Sequence, residues 1–165
     1  MPARPRRLLV ALAGGAALVG LSGCGQKPTP IVTLYSGDTS LYDNAAVFCF
    51  DGQDPSKEPG TEGACRYNLE RTPELLSVQP GDQVLVDVDE DLADAAWFVT
   101  LRPFENSEAG SEVAVSTIES ESHTTRVQPD FGQAPRQILT VRKLASEDED
   151  AAVLGLWTFT IVPEV

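Results

Sequence analysis

The chain has 165 residues, with 25 acidic side chains against 12 basic ones and a single histidine, so its formal charge is −13. So acidic a surface excludes nucleic acid as a partner and works against peripheral binding to anionic lipid. One histidine and three cysteines leave little from which to build a metal centre, and no phosphate-cradling glycine loop is present, so no cofactor is expected.

Arg4, Arg6 and Arg7 precede Leu8 to Leu21, an uncharged apolar stretch of 14 residues. A bilayer core takes about 20, so this stretch suits the apolar region of a cleaved export signal. It runs into Leu21-Ser22-Gly23-Cys24, which resembles the lipobox of bacterial lipoprotein precursors. The expected product begins at Cys24, carries diacylglycerol on that sulfur and sits on the extracytoplasmic face of the cell membrane. Two acyl chains suffice for stable anchoring where one does not. Removing residues 1–23 takes away three basic residues and no acidic one, leaving nine cations against 25 anions, a charge of about −16.

Residues 24–30 read as a lipidated, proline-bearing tether, and 31–165 as one folded domain of ordinary size. With Cys24 lipidated, Cys49 and Cys65 remain, and outside the cytoplasm an even pair is expected to be oxidised. A bond between them closes about 15 intervening residues and stabilises by about 3 kcal/mol. A redox-active or metal-binding thiol pair is the alternative, though the spacing is far from Cys-x-x-Cys and no histidine is near.

In chain order, Ile31 to Tyr35 reads as a strand ended by Ser36-Gly37-Asp38, and Ala45 to Phe50 as a second. The Gly/Pro/Asp-rich segment from Asp51 to Gly63 is a loop, followed by a short strand from Ala64 to Leu69. Glu74 to Val78 and Gln83 to Val88 flank Gln79-Pro80-Gly81-Asp82, a type II turn signature, and the pair is expected to form a hairpin. Val84, Val86 and Val88 alternate with polar or exposed positions, the period of a half-buried strand. Asp89 to Asp94 is a polar bend or one helical turn. Ala95 to Leu101 is a strand placing Trp97, Val99 and Leu101 on one face.

Asn106 to Glu112 and Pro129 to Pro135 read as loops. Val113 to Ile118, His123 to Gln128, Ile138 to Leu144 and Val153 to Val162 read as strands, with Ser146 to Asp150 an acidic tip. In the last strand Trp157, Phe159 and Ile161 alternate with Thr158 and Thr160. The whole predicts an all-β sandwich, immunoglobulin-like or cupredoxin-like, with a small closed barrel as second choice. Trp97 and Trp157 are expected as core residues from the two sheets, a ligand-facing tryptophan being the alternative.

Catalytic chemistry is sparse. His123 is the only imidazole, and no Gly-x-Ser-x-Gly elbow accompanies it. A blue-copper site needs two His, a thiolate and usually Met; the only Met here is Met1. Asp87, Asp89 and Asp91 have the spacing of a calcium-loop opening, but Leu92 and Phe98 stand where the pattern wants Gly and Glu. No catalytic, cofactor-binding or metal-ligating residue is therefore assigned.

The lipobox, the tether, Ile31 to Tyr35 with Ser36-Gly37, the pair Cys49 and Cys65, Val78-Gln79-Pro80-Gly81-Asp82-Gln83-Val84 and Ala95-Ala96-Trp97 follow one another in order. In that set the chain, from about Lys27 to Leu101, resembles a family of uncharacterised actinobacterial lipoproteins, domain of unknown function 2771. The resemblance implies an envelope location and supports the cysteine pairing, and it implies no activity. The expected function is a non-catalytic binding or envelope-accessory module, held to the membrane by its N-terminal lipid and partnered by an envelope protein or wall component. An acidic cation-binding lipoprotein and a carboxylate-dependent hydrolase are the alternatives.

Overall fold

The computed structural model describes residues 27–68, 75–105, 112–148 and 150–165. Cys24 and the stretch before it lie outside the described residues, as do most of the Asn106 to Glu112 loop and Glu149. No helix among the described residues is long and apolar enough to cross a membrane.

The strands are β1 (Ile31–Ser36), β2 (Thr39–Asn44), β3 (Val47–Phe48), β4 (Arg66–Tyr67), β5 (Leu75–Val78) and β6 (Val84–Val88). After the single helical turn α1 (Glu90–Ala93) come β7 (Trp97–Pro103), β8 (Val113–Ala114), β9 (Thr124–Val127), β10 (Gln137–Leu144) and β11 (Val153–Pro163). They form two sheets in a sandwich-like arrangement. One has four strands in the order β2-β1-β6-β9; the other has seven, in the order β4-β3-β11-β10-β7-β8, with β5 also paired to β11. The all-β expectation holds, and the two sheets are separate rather than one closed barrel.

Period-two patterning accounts for the core. Val32 and Leu34 of β1 and Val84, Val86 and Val88 of β6 face inward from the smaller sheet; Val99 and Leu101, Leu139 and Val141, and Trp157, Phe159 and Ile161 face inward from the larger one. The alternation expected in β6 and β11 is what the fold uses.

The structure departs from or adds to the sequence reading at three places. Thr39–Asn44 is a strand, joined to β1 by the two-residue turn Gly37-Asp38 and paired Ser36 to Thr39. Gly37 has φ +53° at the first turn position and Asp38 has no positive φ, the type II′ pattern that matches the twist of a hairpin. Its sequence, Thr-Ser-Leu-Tyr-Asp-Asn, mixes polar residues on both faces because β2 is an edge strand of low burial.

Second, the Pro80-Gly81 turn forms as expected, with Asp82 N–H donating to Gln79 O at 2.9 Å and Gly81 at φ +98°, but it does not make a hairpin. β5 pairs in parallel with β11, whereas β6 pairs with β1 and β9. The turn is a corner between sheets: Leu76 and Val78 find their burial against β11, and the chain then crosses to the opposite layer.

Third, Trp97 and Trp157 are both fully buried but belong to the same sheet, on β7 and β11 either side of β10. The remaining differences are of length. The strand expected over Val113 to Ile118 stops at Ala114 because the Ser116 hydroxyl, rather than a backbone carbonyl, accepts from Val99 N–H at 2.9 Å. β3 and β4 shrink to two residues each around the disulfide.

Candidate functional site

The two ends of the sandwich differ in what they carry. One end, here the α1 pole, gathers the start of β1, α1, the disulfide and the entry of the chain from residue 27. Cys49 and Cys65 are bonded, with Cα atoms 4.3 Å apart, and both are buried. Their proximity follows from β3 and β4 lying side by side, Val47 opposite Tyr67 and Phe48 opposite Arg66.

Residues 27–30 are fastened to this pole. Trp157 donates its indole N–H to Pro30 O at 3.0 Å, and Arg66 Nη1 donates to Lys27 O at 3.0 Å. Ile31 N–H donates to Asp89 Oδ2 at 2.9 Å, and the Lys27 ammonium lies 2.6 Å from Asp91 Oδ2. Hydrogen bonding to Asp91, with its charge and those of Asp51 and Asp89, raises the Lys27 pKa above the ordinary lysine value. The part of the expected tether nearest the domain is thus bound to it.

The acidic triplet considered for calcium is dispersed by the fold. Asp87 lies on the outward face of β6, Asp89 caps α1 by accepting from Leu92 N–H at 3.2 Å, and Asp91 pairs with Lys27. Among the described residues no group of three or more His, Cys, Asp or Glu side chains is placed to hold a metal ion. His123 is exposed; its Nδ1 lies 3.4 Å from Val88 O, and among the described residues no carboxylate or hydroxyl bonds its ring. Its backbone O accepts from Val88 N–H at 2.9 Å, which makes the residue a strand-edge contact.

The opposite end holds a cavity of about 290 Å³. Leu101 and Pro103 of β7, Val113 and Val115 beyond it, and Ala134 form its apolar lining; Gln128, Asp130, Gln133 and Gln137 supply polar groups. Arg102 borders it too; Val99 and Leu101 face the core, so the pleat places Arg102 on the other face of β7. We refer to this end as the cavity pole.

The loop from Pro129 to Arg136 that roofs the cavity is organised around Asp130. Its Oδ1 accepts from Gly132 N–H at 3.0 Å, and its carbonyl accepts from Gln133 N–H at 3.2 Å. That same carbonyl accepts from the side-chain amide of Gln137 at 2.6 Å; the Gln137 amide also donates to Ala134 O at 3.2 Å. Gln137 opens β10 opposite Pro103 and is 5% exposed. A buried carboxamide that spends both protons on loop carbonyls fixes the loop and leaves one acceptor oxygen.

These residues escape sequence reasoning. The segment from Pro129 to Pro135 reads correctly as a loop, but nothing in the order of residues says that Gln137 folds back on it. The only trace is the period of β10, which turns Gln137, Leu139 and Val141 to one face and so places an amide where an apolar residue is expected.

No family model matches this chain, and no curated protein matches it. The resemblance drawn from the ordered motifs rests on those residues alone.

Proposed function

We propose that this chain is a lipid-anchored, extracytoplasmic binding module without a catalytic role, held by Cys24 to the membrane and offering its cavity pole to an envelope protein or wall component. The supporting observation is the opposition of the two poles. The chain enters at the α1 pole, where residues 27–31 are tied down, and the cavity opens at the other end of strands about six residues long. At about 3.3 Å per residue that separates the poles by about 20 Å. Three residues from Cys24 to Lys27 reach at most about 11 Å, so the α1 pole faces the bilayer and the cavity faces away.

The lipoprotein family named above is the proposed family. A cupredoxin-like arrangement is the finer fold we propose: the order β2-β1-β6-β9 facing β5-β11-β10-β7-β8, with β5 parallel to the last strand, favours it over an immunoglobulin-like one. The acidic residues favour the binding module over cation buffering, since Asp89 caps a helix, Asp54 orders a loop through Ser56, and Asp91 and Glu112 pair with Lys27 and Arg142.

Membrane fractionation of the wild type and of Cys24→Ala tests the anchor. The wild type is expected in the membrane fraction with labelled palmitate incorporated, and Cys24→Ala in the soluble fraction without label. Membrane retention and labelling of Cys24→Ala would overturn the reading.

A further inference from the structure

We propose that the cavity at the pole opposite α1 receives an alkyl chain ending in a protonated primary amine, of the kind a lysine side chain presents. The inference rests on the binding-module reading and names its ligand class. Sites for drug-sized ligands run from about 300 to 1,000 Å³. At about 290 Å³ this cavity suits one side chain or a small amine rather than a length of polymer.

The chemistry of the wall gives the rest. Leu101, Pro103, Val113 and Val115 offer apolar surface for a methylene stem. Among the polar groups, Gln137, Gln128 and Asp130 offer acceptors, and Gln133 offers both an acceptor and donors. Gln137, 5% exposed, uses its amide protons on Asp130 O and Ala134 O, so Oε1 remains without a donor among the described residues. Gln128 donates one amide proton to Gly81 O at 3.2 Å and keeps its Oε1 as an acceptor and its second N–H as a donor. Asp130 engages one carboxylate oxygen with Gly132 N–H, and no cation among the described residues pairs with it. An ammonium group has three donors and no acceptor, the complement of a carboxylate flanked by amide oxygens. A carboxylate or phosphate ligand would meet the Asp130 charge, and the one cation bordering the cavity among the described residues is Arg102, on the face of β7 opposite Leu101. The excess of negative charge over the whole chain draws cationic ligands in the same sense.

The test is calorimetric titration of the detergent-solubilised full chain with Nα-acetyl-lysine N-methylamide, its norleucine counterpart and cadaverine. The lysine probe is expected to bind at least tenfold more tightly than the norleucine probe. Asp130→Asn keeps an acceptor for Gly132 N–H and is expected to erase that preference without moving the thermal midpoint. Val113→Lys, at a position 62% exposed, places a tethered ammonium at the cavity mouth and is expected to weaken the lysine probe at least tenfold. Cadaverine matching the lysine probe points to a free diamine as the natural source, and cadaverine binding more weakly points to a peptide; both sustain the ligand class. Equal binding of the lysine and norleucine probes, no binding of either, or an unchanged lysine affinity in Asp130→Asn would overturn it. Those failures leave the anchoring result of Cys24→Ala untouched, so the two readings fall separately.

Discussion

At the α1 pole, residues 27–31 are held by hydrogen bonds to partners 39, 58 and 127 positions away, together with the Lys27–Asp91 ion pair. At the cavity pole, the loop from Pro129 to Arg136 holds its shape by bonds spanning two, three and seven residues. The first region is fastened to the whole domain and the second mainly to itself. The first set ties residues 27–31 to β4, β11 and the start of α1, whereas a loop bonded mainly to itself can open locally at lower free energy.

The largest effect that bears on the contrast is expected from Trp157→Ala. The indole is fully buried, packs edge-on against Phe48 and holds Pro30 O. Its removal is expected to cost about 3–5 kcal/mol, read as a fall in the denaturant midpoint, and to free residues 27–30 to protease. A midpoint shift without new cleavage there would separate the core from the fastening.

Next, replacing Cys49 and Cys65 together by Ser is expected to cost about 3 kcal/mol on the loop-entropy estimate. The loss is expected in the global denaturant midpoint, with the local-opening exchange of Gly132 to Ala134 unchanged. Faster exchange there would show that the two poles are coupled.

Gln137→Ala removes the donor from Asp130 O and Ala134 O and is expected to cost about 1–3 kcal/mol. Its signature is faster amide exchange of Gly132 to Ala134, with residues 27–31 protected as before. Uniform destabilisation would deny the loop its local character.

The smallest effect concerns Lys27. Its pKa is raised above the ordinary lysine value, chiefly by the hydrogen bond to Asp91. A raised folded-state pKa means that the contribution is fully present below the unfolded lysine value and is lost as pH rises through the folded one. Both groups are exposed, so a plain surface pair is at work and solvent screens it. The thermal midpoint of Lys27→Ala is expected to match wild type across pH 6–9, and the pair should matter only to hydrogen exchange at Ile31. A clear midpoint drop at neutral pH would assign the fastening to the ion pair rather than to Trp157 and Arg66.

Much of this was legible in the residues themselves because it depends on neighbours in the chain. Alternation placed Val84, Val86 and Val88 and Trp157, Phe159 and Ile161 inward, as they are. Glycine at a positive-φ position marked the Gln79–Asp82 turn, and Asp89 to Asp94 read as a polar bend or one helical turn, where α1 forms. The even cysteine pair, in a chain whose sequence reads as exported, foretold the bond that closes on Cys49 and Cys65.

What lay beyond the sequence is which strand meets which. A turn reports that the chain reverses; it does not report the edge at which the next strand finds burial. So β5 and β6 part to opposite sheets, and both tryptophans come to lie in one. The cavity shares this origin. Leu101, Val113, Gln128, Asp130 and Gln137 are brought together by antiparallel pairing of β7 with β10 and β8 and by a side chain folding back on its own loop. Local propensity acts over a few residues, and pairing is decided by how the whole apolar surface is buried at once. Most strand and turn identities were therefore set by the sequence, and the pairing of strands and the cavity by the tertiary fold.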